Sequence, residues 1–320
     1  MTNLSMLAAN LLSPVILAFV LGVFASLVRS DLRLPEPLYN ALSIYLLLAI
    51  GLKGGVELNQ TPILEFVGPA LTTLLLGVLT PITAYVILRQ LGAFDRVNAS
   101  AIAAHYGSVS AVTFIVATTI GEMSGQAPEG FMPALVAILE VPAILVALMI
   151  AFTRTPRAGS WQSALHEVAT GRSIVLLVGG LAIGLAAGPT GFEPVAPFFE
   201  SGFQGALTLF LLEMGIVAAR RLKDLKDVGV FLVAFGIIVP ILHGLLAVWA
   251  GGMAGLSLAG SAVLGAMVSS ASYIAAPAAV RIALPEANPT YYLTASLGIT
   301  FPFNVTLGIP LYYAMAGWLH

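Results

Sequence analysis

Apolar residues gather in ten runs separated by short polar turns, at 8–28, 38–52, 62–88, 98–120, 131–153, 172–188, 203–219, 228–250, 258–280 and 291–318. A hydrocarbon core of about 30 Å takes about 20 residues of helix, so the pattern predicts an all-α polytopic membrane protein with ten transmembrane helices. The second, sixth and seventh runs are short by that measure. Short segments in corresponding places are expected where helices are broken or enclosed by protein.

Composition agrees with the pattern. Of the 320 residues, 59% are hydrophobic and 9% charged, against about 25% charged in soluble domains. Mean hydropathy is +0.99. The net charge of −2 gives no sign of a nucleic-acid partner. The absence of cysteine excludes disulfides, thiolate metal sites and cysteine nucleophiles. No Lys or Arg precedes Arg29, so the first run lacks the basic flank of a signal peptide and reads as a retained span.

The basic residues orient the spans. Turns after odd-numbered runs hold Arg29, Arg33, Arg89, Arg96, Arg154, Arg157, Arg172, Arg220, Arg221, Lys223, Lys226 and Arg281, which is 12 of the 13 Lys and Arg. The opposite turns hold Lys53 alone. The positive-inside rule makes the rich side cytoplasmic and places both termini on the outer face of the plasma (inner) membrane. The turn at 154–171 then divides the chain into 1–153 and 172–320, two halves of five spans that start from opposite faces. Such halves would form an inverted-topology repeat.

Two matches support the repeat. Ala41-Leu-Ser-Ile-Tyr-Leu-Leu in the second run resembles Ala206-Leu-Thr-Leu-Phe-Leu-Leu in the seventh, offset by 165 residues. Ser108 and Ser110 in the fourth run recur as Ser270 and Ser272 in the ninth, offset by 162. Small hydroxyl-rich patches inside matched spans predict broken crossing helices in spans 4 and 9, because loosened backbone at membrane depth must face protein or a wet cavity. Helix N-termini at such breaks offer N–H donors and partial positive charge to a small anion. The candidate anion site is therefore Gly107, Ser108, Val109 and Ser110 with Ser269, Ser270, Ala271, Ser272 and Tyr273. Freed carbonyls and hydroxyls there also suit a hard cation such as Na⁺. The alternative reading of each patch is close helix packing through small residues.

Glu140 in the fifth run and Glu213 in the seventh are carboxylates inside apolar sequence. They read either as cation or proton sites or as neutral groups hydrogen-bonded between helices. His105 and His243 read as ligands or as helix-to-helix hydrogen bonds. Asp31, Asp95, Asp224 and Asp227 all fall in cytoplasmic turns, so the chain has no membrane aspartate pair for sodium/proton exchange. His166-Glu167 continues as Val-Ala-Thr and makes no zinc-protease motif. The chain is not expected to be an enzyme, and no cofactor is expected.

Several motifs, in order along the chain, resemble the cyanobacterial sodium-dependent bicarbonate transporter family (SbtA type). Ile50-Gly51-Leu52 with Gly54-Gly55 matches its I-G-L-x-G-G. Gly107-x-Val109-Ser110 with Thr113 resembles G-x-V-S-x-x-T. Glu140-Val-Pro142-Ala143 is similar to its acidic-I-P-A, and Pro240-Ile-Leu-His243-Gly244 to P-I-x-H-G. Arg281-Ile-Ala-Leu-Pro285-Glu-Ala287-Asn288-Pro289 resembles R-A-G-I-P-x-A-N-P. The resemblance implies Na⁺-dependent bicarbonate symport, a core domain moving against a gate domain, bicarbonate between the breaks of spans four and nine with Na⁺ nearby, homotrimers, and a PII-like regulator on the cytoplasmic side. The same architecture serves carriers of small organic carboxylates, and a proton-coupled carrier is a further alternative.

The chain departs from the family at the second break. The family's S-S-S-D-I-S-G-P-P is here Ser270-Ala271-Ser272-Tyr273-Ile274-Ala275-Ala276-Pro277-Ala278, so Tyr273 stands where the aspartate is expected. Val112 likewise replaces a serine. The expected cation ligands are accordingly Thr113 and Ser272, with Glu213 supplying the lost charge if its span abuts the site.

Overall fold

The computed structural model describes residues 12–152 and 160–320. Those residues are overwhelmingly helical and contain no strand. In chain order the helices are α1 (Pro14–Leu27), α2 (Glu36–Gln60), α3 (Ile63–Gln90), α4 (Arg96–Gly107), α5 (Ala111–Met123), α6 (Met132–Phe152), α7 (Ser160–Thr170), α8 (Arg172–Phe192), α9 (Phe203–Arg221), α10 (Leu225–Met253), α11 (Leu258–Val268), α12 (Ala275–Ala283) and α13 (Pro289–Leu319). Seven helical stretches are long and apolar enough to cross a membrane. One of them, Pro197–Met253, runs through 57 residues. It is interrupted by a 3₁₀ turn at Leu222–Asp224 and by Gly229 at φ 75°. The protein is thus a polytopic all-α membrane protein. Arg154 and Arg157, in the expected linker, lie outside the described residues. The rest of that linker includes α7, which packs on α12.

One expectation is overturned in part. The second and seventh helices are not short, for α2 and α9 have 25 and 19 residues, whereas the sixth is, because Gly188 (φ 62°, ψ −174°) interrupts α8 where its apolar run ends. The apolar runs of α2 and α9 end early because polar residues, Lys53, Glu57 and Asn59 on α2 and Arg220 and Arg221 on α9, ride on the last turns without ending the helix.

The breaks fall in the fourth and ninth apolar runs. α4 starts on Asp95, whose carboxylate accepts from Asn98 N at 2.9 Å, and stops at Ser108, which is extended (φ −91°, ψ 159°). The chain restarts at Ser110, whose hydroxyl caps α5 by accepting from Thr113 N at 3.2 Å. In the other half α11 ends at Val268, and six residues, Ser269–Ile274, pass before α12 begins. In α13, Pro302 and Pro310 each withhold an N–H, and wide π-type turns at Thr294–Thr300 and Asn304–Gly308 precede them.

Packing comes in recurring pairs. α2 packs on α8 and α9 on α1; α3 packs on α6 and α10 on α13; α4 packs on α6 and α11 on α13. The α2–α8 seam closes to backbone distance, for a Cβ on Gly55 would sit 2.2 Å from Leu181 O and one on Gly184 2.1 Å from Leu52 O. α5 and α11 meet at the centre, so the two broken pairs cross there.

Candidate functional site

At the crossing each broken helix ties down the other. The Ser110 N–H donates to Ser270 Oγ at 2.8 Å, and Ser270 Oγ donates to Met267 O at 2.6 Å. The Ser272 N–H donates to His105 O at 2.8 Å, a carbonyl left without an intrahelical partner where α4 ends. Ser272 Oγ in turn accepts from Ala276 N at 3.3 Å in the first turn of α12. The N-termini of α5 and α12 therefore both begin at the crossing, and their aligned peptide dipoles bring partial positive charge to one place.

Between them lies a cavity of about 10 Å³, lined by Val109, Ser110, Ala111, Glu140, Ser173, Ser272, Tyr273 and Ile274. That volume is about one water's worth. Glu140 is 4% exposed, and its carboxylate has no charged or hydrogen-bonding partner among the described residues. The ring of Tyr273 packs edge-on against Phe301 at 5.3 Å. Its hydroxyl lies toward Ser110 but makes no hydrogen bond of good geometry. The buried hydroxyls of Ser108 and Thr113 and the Nε2 of His105 are also without partners. Buried polar groups rarely stay so, and the two that line the cavity, on Glu140 and Tyr273, suit a polar ligand.

The expected residues thus divide. Val109, Ser110, Ser272 and Tyr273 line the cavity, and Ser270 fastens it. Gly107 is a packing residue: a Cβ there would sit 2.8 Å from Pro81 and 2.9 Å from Ala143. Ser269 is bound to α13, its carbonyl accepting from Asn304 Nδ2 at 3.1 Å while Tyr312 OH donates to Asn304 Oδ1 at 3.0 Å. Ala271 is buried in the apolar core. Thr113 Oγ1 is buried one turn into α5. His243 pairs with Thr83 across α10 and α3 (2.8 Å) and does not reach the crossing.

Glu213 does not line the cavity. Its carboxylate accepts from Leu34 N at 2.8 Å, beside a separate cavity that also involves Arg33, Tyr39 and Arg220. The carboxyl group at the crossing is instead that of Glu140. Its signal was the Glu140-Val-Pro142-Ala143 motif, since Ala143 touches Gly107 at the first break. Ser173, in the first turn of α8, and Asn304 on α13 were missed. A buried asparagine in an apolar run was visible as an oddity, but nothing local links position 173 to the crossing.

Two larger cavities flank the small one. At the arginine-rich end, about 350 Å³ is bounded by α7, α8 and α12 and shares Ser173 and Ile274 with the central cavity. At the Lys53 end, about 340 Å³ is bounded by α2, α5 and the 127–133 segment, with no residue in common with the central cavity. The central cavity thus shares lining residues with the cavity at the arginine-rich end and none with the one at the Lys53 end.

A search among curated proteins returns no match. A family model, by contrast, matches residues 14–317, nearly the whole described chain. With crossed helix breaks, converging N-termini and a buried carboxylate on the page, that match has a physical counterpart, and the chain belongs to the Na⁺-dependent bicarbonate transporter superfamily.

Proposed function

We propose that the protein is a secondary active transporter that carries bicarbonate together with Na⁺ through the crossing of α4–α5 and α11–α12. The observation that carries this reading is the pairing of two helix N-termini with one unpartnered carboxylate, Glu140, around a single small cavity. The N-termini favour an anion. Glu140, when ionised, opposes it: unit charges about 4 Å apart repel by about 4 kcal/mol at an effective dielectric of about 20. A cation held by Glu140 with the Ser110 and Ser272 hydroxyls removes that repulsion, so anion and cation bind better together than apart. This linkage is symport expressed as a coupling free energy.

The paired contacts of α2–α8 with α9–α1, and of α3–α6 with α10–α13, support ten spans arranged as two inverted five-helix repeats. The charge bias supports a cytoplasmic arginine-rich end and termini on the outer face of the plasma membrane. The flanking cavities then correspond to an inner vestibule that borders the site through Ser173 and Ile274 and an outer one beyond the Ile50–Phe114–Ile115 layer. Trimers and a PII-like regulator are proposals on the family's pattern alone.

The test is uptake of radiolabelled bicarbonate into proteoliposomes with and without an inward Na⁺ gradient. Stimulation by Na⁺ that saturates with both ions is expected. Absence of Na⁺ stimulation for bicarbonate and for small carboxylates alike overturns the reading.

A further inference from the structure

Lys53 has no role in the site just described, and its surroundings are unusual. It is the one basic residue of the 13 that falls outside the arginine-rich turns. It is half-buried on the last turns of α2 and faces the cavity of about 340 Å³. No hydrogen bond or ion pair joins its ammonium to a described residue, although Glu57, Glu122 and Glu129 line the same space. The carboxylates are placed differently from it. Glu129 holds the Ser257 N–H at the start of α11 through Oε1, and its Oε2 is enclosed without a partner. Glu57 and Glu122 are exposed at the rim, one turn beyond Lys53 on α2 and near the end of α5.

The floor of this vestibule is Ile50, Phe114 and Ile115. Ile115 is four residues along α5 from Ala111, which walls the central cavity, so the apolar plug between the two spaces is about 6 Å thick. Just above the plug Thr118 lines the vestibule with an enclosed hydroxyl that has no partner. Lys53 and Thr118 thus both line the vestibule without a partner, while Glu57 and Glu122 are exposed at its rim.

We propose that this vestibule is a second anion site, where Lys53 and Thr118 capture the small anion from outside before it passes the Ile50–Phe114–Ile115 plug. The proposal rests on the transport reading for its consequence, but the site itself is testable without transport. Because the chain has no cysteine, a single Ala127→Cys reporter in the vestibule wall can be modified by negatively or positively charged thiol reagents. Lys53→Gln is expected to slow the anionic reagent about tenfold without slowing the cationic one, and the difference should shrink at high salt. In uptake, Lys53→Gln should raise KM for bicarbonate about tenfold and leave kcat nearly unchanged, with Lys53→Arg restoring KM. Retention of the wild-type elution profile by Lys53→Arg shows that position 53 tolerates change. An anionic-reagent rate unaffected by Lys53→Gln, or a loss of kcat at constant KM, overturns the proposal. If the reagent rates behave as expected while the unmutated protein takes up no bicarbonate, the vestibule stands and the transport reading falls.

Discussion

The two helix breaks occupy equivalent places and are built differently. The first is short and clamped. Only Ser108 and Val109 separate the end of α4 from the cap of α5, Ser110 supplies that cap, and Gly107 is wedged between Pro81 and Ala143. The second is six residues long and starts α12 without a cap on Ile274. It is held from outside, by Asn304 and Tyr312 at one end and by the Ser110 N–H and the His105 carbonyl in the middle. On the transport reading, the first break serves as a fixed wall and the longer second break as the part that adapts to a ligand. Ile274, in that longer segment, also lines the cavity between α7, α8 and α12.

Removing the carboxyl group that both breaks face is the strongest way to test this division. Couplings between two bound ligands run about 1–3 kcal/mol, or about 5- to 150-fold. Glu140→Gln should therefore abolish that factor of Na⁺ stimulation while leaving anion binding itself intact, measured as uptake with and without a Na⁺ gradient. Full stimulation in Glu140→Gln would remove Glu140 from the cation site.

The next largest effect tests the clamp. Gly107→Ala puts a methyl 2.8 Å from the ring of Pro81 and 2.9 Å from Ala143. Proline cannot swing aside, so overpacking of about 1–3 kcal/mol is expected. Thermal unfolding in detergent should show a clear fall in Tm for this variant and a smaller one for Ser269→Ala, the neighbouring residue of the looser break. Equal falls would contradict the contrast between fixed wall and adaptable segment.

Ser270→Ala probes what joins the two breaks. It leaves the buried Ser110 N–H without its acceptor, at about 1–3 kcal/mol, whereas Ser110→Ala loses a helix cap worth about 0.5–2 kcal/mol. The serine on the second break should therefore matter at least as much to the stability of the first as the first's own cap. If Ser270→Ala is neutral in unfolding while Ser110→Ala is not, the breaks are independent.

Much of this was legible from residues in order. The apolar runs located the helices because lipid-spanning sequence is nearly free of charge, and Ser108, Ser110, Ser270 and Ser272 marked the breaks because hydroxyls and glycine are conspicuous in such runs. Helix ends were less legible. Lys53, Glu57 and Asn59 look like the end of α2 on hydropathy but continue it, since helical hydrogen bonds do not depend on an apolar side chain. Contacts between spans were least legible. The serine offset suggested which spans cross, but no local pattern says that Glu140 on α6 and Ser173 on α8 face one cavity while Glu213 on α9 turns away.

That last distinction yields the smallest expected effect and the sharpest control. Glu213 accepts from Leu34 N, in the turn before α2, so its structural task is to hold that turn against α9. A glutamine keeps a carbonyl oxygen for the same bond and loses only the charge-assisted part, about 1 kcal/mol. Glu213→Gln should therefore lower Tm slightly and leave both bicarbonate uptake and its Na⁺ dependence near the wild-type level. Glu213→Ala should lower Tm further, because the Leu34 N–H then loses its acceptor. If Glu213→Gln loses Na⁺ stimulation as Glu140→Gln is expected to, the charge that replaces the family's aspartate acts from α9 over a longer distance, and the fixed wall beside Glu140 is not where the cation binds.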